Sequence, residues 1–109
     1  MSRPLPFFVA ASFRRSLIEI YNYILPNSVE AANNFVDGIN KILPEIAKYP
    51  TAYPSERRLP TKRNLYRFRN YKRNYKIIFK ALKSKTIFVA ITWSGRGDEA
   101  FKRFRTAKY

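Results

Sequence analysis

The chain has 109 residues and a formal net charge of +15, with no cysteine and no histidine. A chain of this length is expected to form one domain, residues 1–109, and its 46% hydrophobic content is that of a globular protein. The lack of cysteine excludes disulfides and thiolate metal sites, and the lack of histidine removes the commonest general base and metal ligand. Any chemistry must therefore use Lys, Arg, Tyr or carboxylate side chains, and we expect no metal or other cofactor.

The net charge lies entirely in the second half of the sequence. Residues 1–56 carry five basic and five acidic side chains, whereas residues 57–109 carry seventeen basic and two acidic ones. No acidic residue occurs between Glu56 and Asp98. A positive electrostatic field attracts polyanions and is the usual electrostatic signature of nucleic-acid binding.

The predicted elements begin with a strand. The apolar run from Phe7 to Ala11 lacks helical spacing and is predicted to be a buried strand. The longer stretch that follows Arg3, Leu5–Ala11, resembles a short signal sequence, but Pro4 and Pro6 interrupt it. No stretch approaches the ~18 apolar residues of a membrane helix, so we expect no membrane partner. The absence of cysteine suits a reducing cytoplasm, where we expect the protein to act.

Two helices are predicted to follow as an antiparallel hairpin. Ser12 can cap the first helix, in which apolar residues recur at steps of three and four until Pro26 ends it. Asn27 can cap the second helix. We expect that helix to continue to about Leu43, with a kink or break at Pro44 and one final turn after it.

After an extended connection that contains prolines, the periodicity changes to two. Three strands rich in aromatic and β-branched residues are predicted at Leu65–Asn70, Asn74–Ala81 and Thr86–Trp93, joined by short polar turns as an antiparallel meander. Asp98 can cap a short C-terminal helix, Glu99–Phe104. The predicted fold is α+β: an N-terminal strand and an α-helical hairpin pack on an antiparallel sheet of about four strands, with the short C-terminal helix beyond it.

Basic side chains alternate along two of these strands. We expect Phe68, Ile77 and Phe79 to point toward the helical hairpin. The open face would then carry a cationic set: Arg67, Arg69, Lys76 and Lys80, with Arg96 just past the last strand. Guanidinium groups bind phosphate bidentately and tyrosine rings stack on unpaired bases, so this set predicts polyanion binding. The alternatives are that these cations are solvated surface residues that protect a sheet edge, and that Trp93 serves packing rather than base stacking.

The order and spacing of these segments resemble those of the RelE/ParE superfamily of toxins from bacterial toxin–antitoxin systems. The resemblance covers nearly the whole chain. It is carried by the helix signature Leu17-x-x-Ile20-x-x-Tyr23-Ile24 and by the segments 65–69, 74–79 and 87–91 that lead to Ser94-Gly95-Arg96. The superfamily implies two activities, because RelE-type toxins cleave mRNA in the ribosomal A site whereas ParE-type toxins bind DNA gyrase and have no nuclease chemistry. An acidic antitoxin is the expected protein partner.

The resemblance to RelE-type toxins also implies positions for a site. An ungapped match places Arg67 and Arg69 at two lysine positions of that pattern, and Lys76 and Arg96 at two arginine positions. The tyrosine position falls on Lys102. The only tyrosine near that position is Tyr109.

Cleavage by a 2′-hydroxyl needs a proton acceptor, a proton donor and charge stabilisation. Arginine is a poor base, whereas neighbouring arginines would favour the neutral form of Lys76; Tyr71 and Tyr109 are the other candidates for proton transfer. We therefore expect catalysis by Lys76, Arg96 and Tyr109. The residues expected to bind substrate phosphates are Arg67, Arg69, Lys72, Arg73 and Lys80.

Three hypotheses remain open. The first is a ribosome-dependent mRNA endoribonuclease, which the high net charge favours because the ribosome is mostly RNA. The second is a ParE-type inhibitor of DNA gyrase without nuclease activity. The third is an inactive relative, or a basic nucleic-acid-binding protein outside toxin systems. The expected targets are accordingly the ribosome and its mRNA or, alternatively, DNA gyrase.

Overall fold

Two helices pack against a four-stranded sheet in the part of the chain that the structure, a computed structural model, describes: residues 6–56 and 65–93. The elements are strand β1 (Phe7–Val9), helices α1 (Ala11–Ile24) and α2 (Val29–Lys48), a short 3₁₀ helix (Pro50–Ala52), and strands β2 (Tyr66–Tyr71), β3 (Tyr75–Ala81) and β4 (Thr86–Trp93). The predicted C-terminal helix, Glu99–Phe104, lies outside the described residues.

The sheet has the strand order β1-β4-β3-β2 and confirms the predicted α+β class. Strands β2, β3 and β4 form the predicted antiparallel meander. The sheet is mixed rather than antiparallel throughout, because β1 pairs parallel to β4, with Phe7 opposite Thr86 and Val9 opposite Phe88. Parallel pairing requires a long crossover connection, which the two helices and the other two strands supply.

Helix α1 begins directly after β1. Ser12 is not the cap that the sequence predicts, because it is the second residue of α1 and is 6% exposed. Its hydroxyl donates to the carbonyl of Val89 at 2.5 Å, and the amide of Phe13 donates to the carbonyl of Ala10. Ser12 therefore attaches α1 to β4 instead of capping the helix.

Helix α2 differs from its prediction at its N-terminus and at Pro44, and it ends at Lys48, before Pro50, as predicted. Its N-cap is Ser28 rather than Asn27, and the Ser28 hydroxyl accepts a hydrogen bond from the helix backbone at 3.0 Å. The helix also continues past Pro44 instead of breaking there. Proline removes one backbone donor, but Leu43 before it and Ile46 after it are both buried, and this packing stabilises the continuous helix.

We call the sheet surface that α1 and α2 cover the helix face and the opposite surface the far face. The main core lies on the helix face, and its largest fully buried side chains are Phe13, Phe35, Phe79 and Phe88. The far face also buries apolar side chains, in one group formed by Ala10, Ile87, Val89 and Ala90 and a second in which Ile78 packs against Tyr66 and Phe68. None of the helices in residues 6–56 and 65–93 combines the length and apolarity that crossing a membrane requires.

Candidate functional site

The register of β2 on β3 decides which way the basic side chains point. Residues directly opposite each other in an antiparallel pair share a face of the sheet. Arg67 lies opposite Phe79 and Arg69 lies opposite Ile77, and both partners belong to the helix-face core. The two arginines therefore lie on the helix face.

The two lysines of β3 lie on the other side of the sheet. Lys76 is opposite Asn70 and Lys80 is opposite Tyr66, which places both lysines on the far face together with Phe68. The prediction of a shared open face is therefore wrong for the set Arg67, Arg69, Lys76 and Lys80. Phe68 likewise points away from the helices. The observed phase of β2 differs by one residue from the predicted phase, and such a shift moves every side chain of a strand to the other face.

Arg67 is engaged with the protein's own backbone. Its Nη1 donates to the carbonyl of Tyr53 at 2.5 Å, and the Tyr53 ring packs edge-on against Phe79 with 5.8 Å between ring centres. Ser55 pairs with Arg67 as an isolated β-bridge. Arg67 therefore holds the segment 53–56 along the outer side of β2. Its Nε is buried and has no hydrogen-bond partner among the described residues.

Lys76 is engaged with the same segment from the opposite face. Its Nζ lies 3.2 Å from a carboxylate oxygen of Glu56, which is 3% exposed, and 4.1 Å from the centre of the Phe68 ring. The Glu56 amide donates to the carbonyl of Tyr66 at 2.8 Å. A buried carboxylate stabilises a charged ammonium. Among the described residues, Lys76 therefore has a carboxylate neighbour, whereas Arg67 and Arg69 lie on the opposite face of the sheet.

The remaining described cations of the predicted site are divided between the β2–β3 turn and the two faces of the sheet. Lys72 and Arg73 are exposed in the turn between β2 and β3, and Lys72 has a φ of 53°, in the left-handed region that non-glycine residues rarely adopt. Arg69 is half-buried and donates from Nη1 to the carbonyl of the next residue at 2.9 Å. Lys80 lies over the Tyr66 ring, 5.6 Å from its centre. These residues occupy two faces and a turn rather than one continuous surface.

Tyr71, the described tyrosine among the candidates for proton transfer, is unsuited to accept a proton. It is 7% exposed, and its hydroxyl donates to the carbonyl of Phe35 at 3.1 Å. Burial raises the pKa of the Tyr71 phenol above its ordinary 10.0, and the Arg69 guanidinium offsets part of that increase. Two further predicted catalytic residues, Arg96 and Tyr109, lie outside the described residues.

A series of contacting rings extends from the core to the surface at one end of the sheet. Trp93 packs on Tyr75 with 4.9 Å between ring centres and makes an edge-to-face contact with Tyr23 at 5.7 Å. Trp93 is half-buried, which fits packing, whereas Tyr23 is 64% exposed. Burial raises the pKa of the Tyr75 phenol, and the nearness of Tyr23 adds to the increase. Neither Tyr23 nor Glu56 stands out as a functional residue in the sequence, although a single acid bordering a cationic segment is a signal for an ion pair.

Two solved toxin–antitoxin systems have a similar fold. The structure is similar to the chromosomal ParDE system from P. aeruginosa, with a TM-score of 0.64 and 13% sequence identity, covering 82% of this chain and 95% of that one. It is also similar to the toxin–antitoxin complex RelBE2 from Mycobacterium tuberculosis, with a TM-score of 0.53 and 12% identity, covering 86% of this chain and 95% of that one. At these identities the similarity shows the fold.

The family itself follows from the sequence. A search of curated proteins gave no significant match. The family model described as ParE toxin of type II toxin–antitoxin system, parDE, matches residues 8–99, which is most of the chain. The predicted resemblance to the RelE/ParE superfamily is thereby confirmed, and the chain belongs to the ParE toxins of type II toxin–antitoxin systems.

Proposed function

We propose that this toxin arrests growth by binding DNA gyrase and that it does not cleave RNA. The observation that carries the proposal is the separation of the predicted catalytic and phosphate-binding cations. Lys76 is paired with the buried Glu56 on the far face, while Arg67 and Arg69 lie on the helix face. Cleavage needs an acceptor, a donor and charge stabilisation within reach of one phosphate, and groups that point away from each other across a sheet do not converge on one phosphate.

Membership of the ParE family supports the proposal. ParE-type toxins are the branch of the superfamily that binds gyrase, and binding requires a complementary surface rather than proton-transfer groups. In such a toxin Arg67 and Lys76 have a structural role. Arg67 on the helix face and Lys76 on the far face each hold the segment 53–56 in place.

Purified DNA gyrase and translating ribosomes test the proposal side by side. The protein should inhibit gyrase supercoiling of relaxed plasmid and should increase the amount of cleaved gyrase–DNA complex, while mRNA on the ribosomes stays intact. An unrelated protein of equal net charge is the control for nonspecific binding to DNA. Unaffected gyrase together with mRNA cut at the A-site codon would overturn the proposal.

A ribosome-dependent mRNA endoribonuclease is the second candidate, and the charge distribution favours it. The whole net charge of +15 lies in residues 57–109, and the ribosome is mostly RNA. In that case the catalytic residues would be Lys76, Arg96 and Tyr109, and the phosphates would be bound by Arg67, Arg69, Lys72, Arg73 and Lys80. Lys76 would have to leave Glu56 to contact RNA, so Glu56→Gln should increase cleavage if this candidate is correct.

We also infer an acidic antitoxin as the protein partner. The similar structures from P. aeruginosa and Mycobacterium tuberculosis are toxin–antitoxin systems, and a strongly positive chain selects a partner of complementary charge. Co-expression of an acidic protein encoded beside this gene should restore growth, and binding should weaken as salt increases. Continued growth arrest in the presence of that protein would contradict the inference.

A further inference from the structure

An exposed aromatic ring lies beside the only tryptophan of the chain. Tyr23, near the end of α1, is 64% exposed, and its edge-to-face contact with Trp93 restricts its position. Trp93 is held in turn by Tyr75, whose ring centre lies 4.9 Å from that of the buried Phe35. A ring that is already held loses little conformational freedom when another ring stacks on it. Tyr23 therefore presents a preorganised stacking surface.

Exposed cations lie at the same end of the sheet. Tyr71, Tyr75 and Trp93 are consecutive partners across β2, β3 and β4, so the three residues form one row that spans about 10 Å. The turn that follows this row on β2 contains Lys72 and Arg73, both exposed. The sequence has no acidic residue in 65–93. A single short polyanion can therefore contact both the turn and the aromatic ring.

We propose that Tyr23, Trp93 and the turn cations Lys72 and Arg73 form a binding surface for single-stranded nucleic acid. An unpaired base stacks on the Tyr23 ring, and the neighbouring phosphates contact the turn cations. Every base has a π face, so the surface binds without sequence preference, and the phosphate contacts make binding sensitive to salt. A duplex keeps its base faces inside the stack, so the surface favours single strands.

A carboxylate on α1 opposes this binding. Glu19 is exposed on α1 one helical turn before Tyr23, and residues four apart are neighbours on a helix surface. Its negative charge repels phosphates that approach the Tyr23 ring. Glu19→Gln should therefore strengthen binding of a polynucleotide several-fold, a gain that an uncharged apolar partner would not show.

The full chain allows a direct test, because Trp93 is its only tryptophan. We expect oligodeoxythymidine and oligouridine to quench Trp93 fluorescence, and the anisotropy of labelled strands to give their affinities; the two strands distinguish DNA from RNA. Tyr23→Ala should weaken binding about tenfold, the effect of losing one stacked base, whereas Tyr23→Phe should retain it. Tyr49→Ala is the matched control, because Tyr49 is 59% exposed beyond the other end of the hairpin, where α2 stops.

Charge variants test the second half of the surface. Lys72→Gln should lower the slope of log affinity against log salt by about 1, whereas Lys83→Gln, in the exposed turn at the opposite end of the sheet, should leave the slope unchanged. Equal affinities of Tyr23→Ala and Tyr49→Ala would overturn the proposal. A duplex that binds as tightly as the single strands and quenches Trp93 equally would also overturn it. None of these measurements uses the supercoiling assay. Either the proposed binding surface or the proposed inhibition of gyrase can therefore be disproved without the other.

Discussion

The hydroxyl of Tyr71 occupies the space in which a side chain at position 38 would begin. A Cβ on Gly38 would clash with the Tyr71 Oη and would lie 3.2 Å from its Cζ. From this position the hydroxyl donates to the carbonyl of Phe35, one turn earlier in α2. Glycine inside a helix is normally unfavourable, and here it allows β2 to approach α2 closely.

Gly38→Ala should destabilise the fold despite the higher helix propensity of alanine. Propensity alone would stabilise the helix by about 1 kcal/mol, whereas displacing a buried ring and its hydrogen bond costs about 1–3 kcal/mol. Tyr71→Phe removes the clashing oxygen, so the double variant should be more stable than Gly38→Ala alone. Urea unfolding followed by circular dichroism measures these differences, and an increase in stability for Gly38→Ala alone would contradict the contact.

Tyr71 also predicts a change of stability at alkaline pH. Burial raises the pKa of its phenol above 10.0 in the folded chain, so above about pH 10 the unfolded chain has released a proton that the native state retains. The contribution of this group to the free energy of unfolding is fully present below that pH and is lost as the pH rises through the folded pKa. Lysines titrate in the same range, so the quantity to measure is the stability difference between wild type and Tyr71→Phe. That difference should shift against the wild type as the pH rises, and a constant difference would contradict the prediction.

Arg67→Ala should destabilise the fold by about 1–3 kcal/mol, because it removes the charge-assisted hydrogen bond to the Tyr53 carbonyl. Arg73→Ala makes the same chemical change at an exposed turn position and should alter stability by no more than about 0.5 kcal/mol. Urea unfolding of the two variants checks the difference. Equal stabilities would show that the Tyr53 contact contributes nothing, and any loss of toxicity in Arg67→Ala has to be judged against its loss of stability.

Lys76→Met should lower the free energy of unfolding by about 2–4 kcal/mol, because it leaves the buried Glu56 carboxylate without its lysine. The double variant Glu56→Gln/Lys76→Met should recover part of that loss, since it removes both charges. Lys80→Met, on the same strand and face, is the control and should cost less. A double-mutant cycle measures the coupling, and strictly additive effects of Glu56→Gln and Lys76→Met would argue against the ion pair.

The sequence predicts the type and order of the helices and strands well, because the spacing of the apolar residues in each element shows that it has a buried side. It does not predict the phase of β2. Phe68 pairs with the buried Ile78 on the far face, while Ile77 and Phe79 are buried on the helix face, so apolar residues occur on both sides of the β2–β3 pair. Because both faces are apolar, the polarity of the side chains does not show which face packs against the helices. Only the register of β2 on β3 shows it.

Other features depend on tertiary contacts that no local pattern contains. The packing of residues on both sides of Pro44 keeps α2 continuous where proline chemistry predicts a kink or a break. Lys76 and Glu56 are twenty positions apart in the sequence, and no local pattern relates one to the other. The ion pair can therefore be recognised only once segment 53–56 is known to pair with β2.

The central claim is that this toxin acts by binding gyrase and not by cleaving RNA. The integrity of mRNA in growth-arrested cells tests that claim most directly. Transcript 5′ ends would be mapped in cells before and after expression of the toxin, and cleaved gyrase–DNA complexes would be measured in the same cultures. We predict growth arrest with no new 5′ ends at ribosomal A-site codons and with an increase in cleaved gyrase–DNA complex. New 5′ ends at A-site codons without any increase in that complex would contradict the account.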